Sequence, residues 1–307
     1  MICLLPLNTA LGLSLGHITP DTFPLPTVRA ELRRLSGELH NGHGFFVLRG
    51  LRVDEHTREE NVIAYVGISA HIAPLRGRQD AKFDGRPADV VLTHIKDLTA
   101  TAQKEAIGSP AYTTDKQVFH TDSGDIVSLF ALETAAEGGA SKLASTWKVY
   151  NEIARSRPDL IHTLSQDWDV EVYVFSSAPP PVCLKLPRRW HLLMTNYRAT
   201  YLPTSFRKSE KGYTSRPLLH FQPVTANSPE RVSLHYGRRY FVGFGALPRS
   251  HNIPPITEAQ AEALDTLHFL GEKFCVSTDF QKGDIQYVNN LALFHSRDGF
   301  SNEGDKQ

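Results

Sequence analysis

The chain has 307 residues, and its 33 Lys plus Arg balance its 33 Asp plus Glu, so it carries no overall basic surplus of the kind found in nucleic-acid-binding domains. Hydrophobic residues make up 41% and charged residues 21%, as in ordinary globular proteins. Three widely spaced cysteines exclude a disulfide framework, and no apolar run predicts a membrane span or signal peptide, so a cytoplasmic protein is expected.

The first elements along the chain are predicted as two helices and two strands. Apolar side chains recur at helical spacing through residues 24–40, and the following Asn-Gly pair ends that helix. Residues 44–50, an apolar run between two glycines, predict a buried strand. Asp54 is the predicted N-cap of a second helix that ends near residue 68. Residues 90–95 predict another strand.

The middle of the chain predicts a hairpin followed by helix. Residues 126–132 form a strongly strand-like run, and residues 141–146 predict a returning strand. The Glu-Gly-Gly-Ala turn at 137–140 separates the two runs. Residues 147–155 then predict a helix, which Pro158 interrupts before a short second one.

The C-terminal half returns to strands, with one long helix among them. Strands are predicted over residues 170–175, 190–195, 217–221, 231–236 and 291–295, and residues 283–290 predict a turn that leads into a strand. A proline-rich loop is predicted over 178–181 and a polar loop over 207–215. Thr257 and Gln260 form a capping-box pattern that begins a helix ending near residue 274. Many short strands without β-α-β alternation predict an antiparallel β-core with helices outside, in one domain.

One short stretch carries the chemistry. His120 and Asp122 are two residues apart, so on a strand both side chains point to the same face. They are two thirds of the 2-His-1-carboxylate set of non-haem Fe(II) oxygenases, and His295, at the end of an apolar strand-like run, is the natural third ligand. A chain of this composition contains about one such pair by chance, so a strand with a polar edge is the alternative.

Four motifs, in this order, carry a family resemblance. They are Phe-His-Thr-Asp at 119–122, Gly-Gly-Ala-Ser at 138–141, Gly-Asp-Ile at 283–285 and Asn-Asn-Leu-Ala-Leu-Phe-His-Ser-Arg at 289–297. From about Gly44 onwards the chain resembles the TauD/TfdA (taurine dioxygenase-like) family of Fe(II)/2-oxoglutarate-dependent dioxygenases, in particular its fungal secondary-metabolism branch. The resemblance implies a mainly β (α+β) fold with a double-stranded β-helix, or jelly-roll, core and flanking helices.

The resemblance also implies residue roles. His120, Asp122 and His295 would be the catalytic Fe(II) ligands, with 2-oxoglutarate and O₂ as cosubstrates. Ser141 falls where the family places a hydroxyl residue that hydrogen-bonds the 2-oxoglutarate carboxylate, and its alternative is a simple serine at the exit of a turn. Asn289 and Asn290 either shape the pocket or terminate a strand.

The sequence departs from the family pattern near its end. The family binds the distal 2-oxoglutarate carboxylate with an arginine roughly 11 to 14 residues after the second histidine, where a bidentate guanidinium suits the task. After His295 the chain offers only Arg297 and Lys306. We therefore expect residues 1–307 to be a single dioxygenase domain that lacks its last C-terminal strand.

The implied reaction is oxidation of an unactivated C–H bond in a small, carboxylate-bearing, amino-acid-like substrate. Its outcome would be hydroxylation or oxidative ring closure such as aziridine formation. Neither nucleic acid nor membrane is an expected partner. The candidate carboxylate anchors are all cationic: Arg198, Arg207, Lys208, Lys211, Arg238 and Arg239. The alternative is a catalytically inactive jelly-roll relative that binds a ligand or metal.

Overall fold

The computed structural model describes residues 14–78, 80–83, 86–171, 212–226, 229–245 and 247–302. The predicted loop at 178–181, the predicted strand at 190–195 and four of the candidate anchors lie outside these residues. Those anchors are Arg198, Arg207, Lys208 and Lys211. No helix in the described stretches is both long and apolar enough to cross a membrane.

The described residues contain helices and a larger number of short strands. The α-helices are α1 (Arg29–Asn41), α2 (Arg58–Ile72), α3 (Thr146–Ser156), α4 (Pro158–Ser165), α5 (Arg239–Val242) and α6 (Glu258–Phe274). The first strands are β1 (Phe45–Leu48), β2 (Asp80–Phe83), β3 (Arg86–Val90), β4 (Gln117–His120), β5 (Ile126–Phe130), β6 (Glu137–Gly138) and β7 (Ser141–Ser145). The later strands are β8 (Trp168–Glu171), β9 (Tyr213–Arg216), β10 (Leu219–Gln222), β11 (Arg231–Leu234), β12 (Val276–Thr278), β13 (Ile285–Asn289), β14 (Leu293–Arg297) and β15 (Phe300–Ser301).

Two antiparallel sheets face each other at the centre. One has the strand order β1-β13-β5 and the other β12-β7-β14-β4. Leu143 and Leu293 of the second sheet pack against Val288 of the first, with Phe45 and Val127 beside them. This pair of facing sheets with helices outside confirms the predicted mainly β fold with a jelly-roll core.

On β4 and β14, side chains alternate between an outer face, which packs in the apolar core, and an inner face, which lies between the two sheets. Phe119 and Phe294 are fully buried on the outer face of the four-stranded sheet, in a cluster with Leu264 and Leu267 of α6. Helix α6 approaches closely at Gly271, where an added Cβ would lie 2.9 Å from the Phe119 ring. Because side chains on a strand alternate between faces, the residues that follow the two phenylalanines point to the opposite, inner face.

The other sheet is covered by α1 and α2. Ile285 and Tyr287 on β13 are buried among apolar side chains of these helices, including Leu39 and Val66. The Tyr287 ring stacks on Phe46, with ring centroids 5.0 Å apart. The alternate residues of β13 therefore face the interior between the two sheets.

The structure corrects several predicted boundaries. Helix α1 begins at Arg29 instead of residue 24, and the strand expected at 90–95 ends at Val90. Helix α2 is capped by Thr57, whose side chain accepts the backbone N–H of Glu60, so the Asp54 prediction was wrong. Thr57 and Glu60 form a reciprocal capping box, which satisfies two helix-terminal donors and outcompetes a lone aspartate. The long helix predicted from the Thr257 capping box is confirmed.

The hairpin predicted after the His/Asp stretch was also wrong. Strand β5 pairs with β13, whereas β7 pairs with β12 and β14, so the two strands lie in different sheets. The glycine turn between them carries the chain from one sheet to the other. Gly138 and Gly139 have φ values of 78° and 72°, and a Cβ on Gly138 would lie 2.3 Å from the carbonyl oxygen of Gly299. Only glycine fits this close backbone crossing.

An ion pair between the half-exposed Arg49 and the buried Asp284 fixes the turn before β13. The Asp284 side chain is fully buried and accepts hydrogen bonds from Nε and Nη2 of Arg49, at 3.0 and 2.8 Å, and from the backbone N–H of Gln281 at 2.9 Å. Burial acts to raise the pKa of Asp284, but the Arg49 hydrogen bonds and then the Gln281 N–H outweigh it and lower the pKa. The Gly-Asp-Ile motif therefore ties the end of β1 to the start of β13.

This ion pair predicts how stability depends on pH. Because the folded-state pKa of Asp284 is below its ordinary value of 3.8, its stabilisation is complete above that value and is lost as the pH falls through the folded-state pKa. We expect Asp284→Asn to lower the free energy of unfolding at pH 7 by about 1–3 kcal/mol and to flatten its decline in acid. Urea unfolding from pH 7 to 2 measures both effects. The exposed control Asp167→Asn should change neither, and an unaltered acid decline in Asp284→Asn would contradict the assignment.

Candidate metal centre

The three residues predicted as metal ligands come together at one end of the four-stranded sheet. His120 ends β4 and lies directly opposite His295 of β14 in the antiparallel register, and Asp122 follows two residues later. The imidazole centroids are 4.1 Å apart. Nε2 of His120 is 3.9 Å from Oδ1 of Asp122, and Nε2 of His295 is 3.4 Å from Oδ2. The ligand atoms all lie within 4.8 Å of one another, as a shared metal ion requires.

The hydrogen bonds around the histidines suit a metal. Nδ1 of His120 donates to the carbonyl oxygen of Val118 at 2.8 Å, which leaves the lone pair on Nε2. The Gln117 amide lies 3.1 Å from that Nε2 and donates to it, so a bound metal would take over this hydrogen bond. Nδ1 of His295 is buried and has no hydrogen-bond partner among the described residues. Two imidazoles and a carboxylate, on one side of the site, are the donor set that non-haem Fe(II) selects.

The surroundings also set the protonation states. Burial, and then the charge of His295, lower the pKa of His120 to about 4. Burial acts to raise the pKa of Asp122, but its hydrogen bond to His295, together with the charges of His295, His120 and Arg239, outweighs burial and lowers it. At neutral pH His120 is therefore neutral and Asp122 ionised, which are the forms that bind a metal.

Asn290 holds the loop that carries Asp122. Its side chain is fully buried, and its Oδ1 accepts the backbone N–H of Asp122 at 3.0 Å. Its Nδ2 donates to the carbonyl oxygens of Asp122 and Gly124, both at 2.7 Å. Asn289 differs, because its amide donates to Leu39 and accepts from Leu291, so it only ends the strand. Of the two asparagines, Asn290 shapes the site.

Ser141 lies in the sheet interior, one step along the barrel from the metal ligands. It is paired with Arg297 in the β7–β14 register, two residues from Leu143, which is paired with His295. Its Oγ donates to Oε1 of Gln286 at 2.9 Å. The sequence interpretation missed Gln286. The sequence does contain a signal for this residue, because an amide side chain interrupts the otherwise apolar inward positions of β13.

Arg297 braces the segment before β4. Its Nη2 donates to the carbonyl oxygens of Pro110, Thr113 and Asp115 at 3.1, 2.8 and 2.6 Å. Its guanidinium also lies 4.7 Å from the centroid of the Phe300 ring. Burial lowers the pKa of Arg297. This arginine thus links the His295 strand to the segment that leads into the His120 strand, a role that the sequence interpretation missed.

A cavity of about 2150 Å³ opens beside these residues, lined among others by the three ligands, Ser141 and Arg297. Of the two candidate anchors that the structure describes, Arg238 is paired with Asp265 at 2.6 Å. Arg239 donates to Oγ of Ser109 at 3.2 Å, and its charge acts on Asp122 and His120. The structure therefore places one cation of the predicted set near the candidate metal centre.

The remaining histidines of interest lie apart from this centre. The rings of His220 and His235 contact each other edge-on, with centroids 5.1 Å apart. Neither they nor His268 belong to the group of possible metal ligands found among the described residues. These three histidines are therefore not candidate metal ligands.

Comparison with known proteins agrees with this site. The profile of the "Taurine catabolism dioxygenase TauD, TfdA family" matches residues 8–307. A curated relative, the "Taurine hydroxylase-like protein SAT17" of Stachybotrys chartarum, is 34% identical over 294 residues. The match covers 94% of this chain, and the chain spans 64% of the length of that relative.

Solved structures share the fold at low sequence identity. An asparagine oxygenase in complex with Fe(II), 2S,3S-3-hydroxyasparagine and succinate superposes with a TM-score of 0.57 at 14% identity, covering 98% of this chain and 87% of that one. The non-heme iron oxygenase OrfP in complex with Fe and alpha-ketoglutaric acid gives 0.57 at 14% identity, with 98% and 85% coverage. At such identity these structures support the fold alone. By the profile match over almost its whole length, the chain belongs to the taurine catabolism dioxygenase TauD, TfdA family.

Proposed function

We propose that this protein is an Fe(II)/2-oxoglutarate-dependent oxygenase and that His120, Asp122 and His295 are its catalytic metal ligands. The observation that carries the proposal is the convergence of two imidazoles and one carboxylate within 4.8 Å. Membership of a dioxygenase family and similarity to iron oxygenases with this fold support it. A chance pair on a polar strand edge would not bring a third, remote ligand into register.

The residues of the site would have different roles in the proposed reaction. His120, Asp122 and His295 would hold Fe(II), which together with 2-oxoglutarate and O₂ would supply the oxidising power needed to remove hydrogen from an unactivated C–H bond. His120 and Asp122 would bind in the protonation states that they already have at neutral pH. Asn290 holds the backbone of Asp122, and the cavity receives the substrate on the open side of the ligand set.

The proposed substrate is small and carries a carboxylate, in the manner of an amino acid. The structures with a similar fold include an asparagine oxygenase and an OrfP variant in complex with (3S)-hydroxy-L-Arg. The positive charge of Arg239, which acts on the ligand group, suits an anionic substrate. Hydroxylation is the first proposed outcome, with oxidative ring closure such as aziridine formation as the alternative. Secondary metabolism is the proposed context, in line with the family resemblance of the sequence.

The test is an anaerobic titration of the metal-free, full-length protein. We expect Fe(II) to bind and 2-oxoglutarate then to produce a visible charge-transfer band between the metal and the 2-oxoacid. After O₂ is admitted, succinate formation should rise with one or more members of an amino-acid panel. Iron binding without a band would favour the inactive jelly-roll relative, and the absence of iron binding would refute the proposal.

A further inference from the structure

Gln117 contacts the metal-binding atom of His120 without being a candidate ligand itself. It begins β4, is half-buried, and lines the cavity that also contains the three ligands. Its side-chain amide nitrogen lies 3.1 Å from Nε2 of His120. Because Nδ1 of His120 donates to the carbonyl oxygen of Val118, Nε2 carries the lone pair and accepts from the amide. This hydrogen bond therefore uses the atom that would bind the metal.

A β-bulge in β4 turns Gln117 towards His120. Residues three positions apart on a regular strand point to opposite faces of the sheet. In this sheet His120 is paired with His295. Gln117 is paired with Arg297, so two residues of β4 lie opposite one residue of β14. Such a bulge changes the direction of the side chains that follow it, and as a result Gln117 and His120 both point into the sheet interior.

The amide of Gln117 and a metal ion cannot be bound to His120 at the same time. A neutral imidazole has one nitrogen lone pair available as an acceptor, and here that lone pair is on Nε2. A metal–imidazole bond uses the same lone pair at a shorter distance, about 2 Å. The amide nitrogen, at 3.1 Å from Nε2, would overlap with a metal ion at that distance. The Gln117 side chain must therefore move away when the metal binds.

This exclusion gives Gln117 an effect on metal affinity. The hydrogen bond between Gln117 and His120 exists only in the metal-free protein, so it stabilises that state and not the metal-bound state. A ligand that must break an interaction of the free protein binds more weakly by the same factor. The net contribution of one hydrogen bond corresponds to a factor of about 2 to 10. Gln117 should therefore weaken metal binding by that factor.

We propose that Gln117 is a positioning residue that holds His120 in the metal-free protein and lowers the affinity of the site for its metal. This inference rests on the function proposed above and adds a residue to it. The Val118 carbonyl oxygen holds one nitrogen of the imidazole, and the Gln117 amide holds the other. The ring is thus already oriented towards Asp122 and His295 before the metal binds.

The test is an anaerobic calorimetric titration of the metal-free protein with Fe(II). Gln117→Leu removes the amide and keeps an apolar side chain of similar volume. Gln117→Asn keeps an amide that is one carbon too short to reach Nε2 of His120. We expect both variants to bind Fe(II) about 2- to 10-fold more tightly than wild type. Gln166→Leu, at an exposed position, should leave the affinity unchanged.

Thermal unfolding provides a second measurement, which does not depend on activity. Without metal, both Gln117 variants should unfold about 1–3 °C below wild type, because they lack the hydrogen bond to His120. At saturating Fe(II) this difference should disappear, because the metal-bound wild type lacks the hydrogen bond as well. A loss of stability that persists at saturating Fe(II) would indicate a general disturbance of β4 and would overturn the proposal.

The outcomes separate the two proposals. If wild-type protein binds no Fe(II), the proposed function fails. If wild-type protein binds Fe(II) but the folded Gln117 variants bind it with equal or lower affinity, the metal site stands and the role of Gln117 is wrong. Damage to the site does not imitate the expected result, because damage weakens metal binding, whereas the proposal requires tighter binding.

Discussion

Replacement of His295 by alanine is expected to lower the affinity for Fe(II) by more than about 100-fold, a larger loss than replacing a residue outside the ligand set causes. His295 supplies one of three ligand atoms, and Nδ1 of its ring has no hydrogen-bond partner among the described residues. The substitution therefore removes a metal ligand together with its hydrogen bond to Asp122. Anaerobic calorimetric titration with Fe(II) measures the effect directly.

Two comparisons make this prediction specific. Asp122→Asn keeps the size of the side chain but removes its charge, so it should also weaken iron binding strongly. His162→Ala replaces an exposed histidine and should leave the affinity unchanged. Full iron affinity in folded His295→Ala protein would show that the His-Asp-His convergence does not bind iron.

Asn290→Ala is expected to have the largest effect on stability. The substitution leaves a backbone N–H and two carbonyl oxygens, in Asp122 and Gly124, without the partner that the structure gives them. These groups are partly buried, and each costs at most about 1–3 kcal/mol when unsatisfied, so we expect the free energy of unfolding to fall by about 2–4 kcal/mol. Denaturant unfolding monitored by tryptophan fluorescence measures this loss.

The same substitution should also weaken iron binding. Because Asn290 holds the backbone on both sides of the Asp122 side chain, iron affinity is expected to fall about 10- to 100-fold in the folded variant. Asn151→Ala, on the exposed face of α3, should change stability by less than about 0.5 kcal/mol and iron affinity not at all. A stable Asn290→Ala protein with normal iron affinity would contradict the role assigned to this asparagine.

Local chemistry made some parts of the fold predictable. The Thr257–Gln260 capping box correctly began the long helix α6, because its hydrogen bonds involve only neighbouring residues. The same pattern at Thr57 and Glu60 was passed over in favour of Asp54, although the reciprocal bonds of a capping box favour Thr57. The strand that carries His295 was also recognisable, because residues 291–295 form an apolar, strand-like run.

The pairing of strands that are distant in sequence could not be predicted from local patterns. The glycine turn before Ser141 suggested a hairpin, yet nothing in the turn itself shows that β5 and β7 belong to different sheets. The register that places His295 opposite His120 is equally invisible to local patterns. His295 was selected as the third ligand because it ends an apolar, strand-like run, and the family resemblance implied the same residue. Gln286 was overlooked because its burial follows from the packing of two sheets.

The alternation of Phe119 with His120, and of Phe294 with His295, has an evolutionary consequence. The same two strands present the ligands on one face and anchor the hydrophobic core on the other. A substitution that repacks α6 against these phenylalanines therefore also shifts the spacing of the ligands. Substitutions on the core side of these strands therefore affect the geometry of the metal ligands. Substitutions in the irregular segments around the cavity affect that geometry much less. New substrate preferences should consequently arise through those segments, while the ligand-bearing strands stay the same.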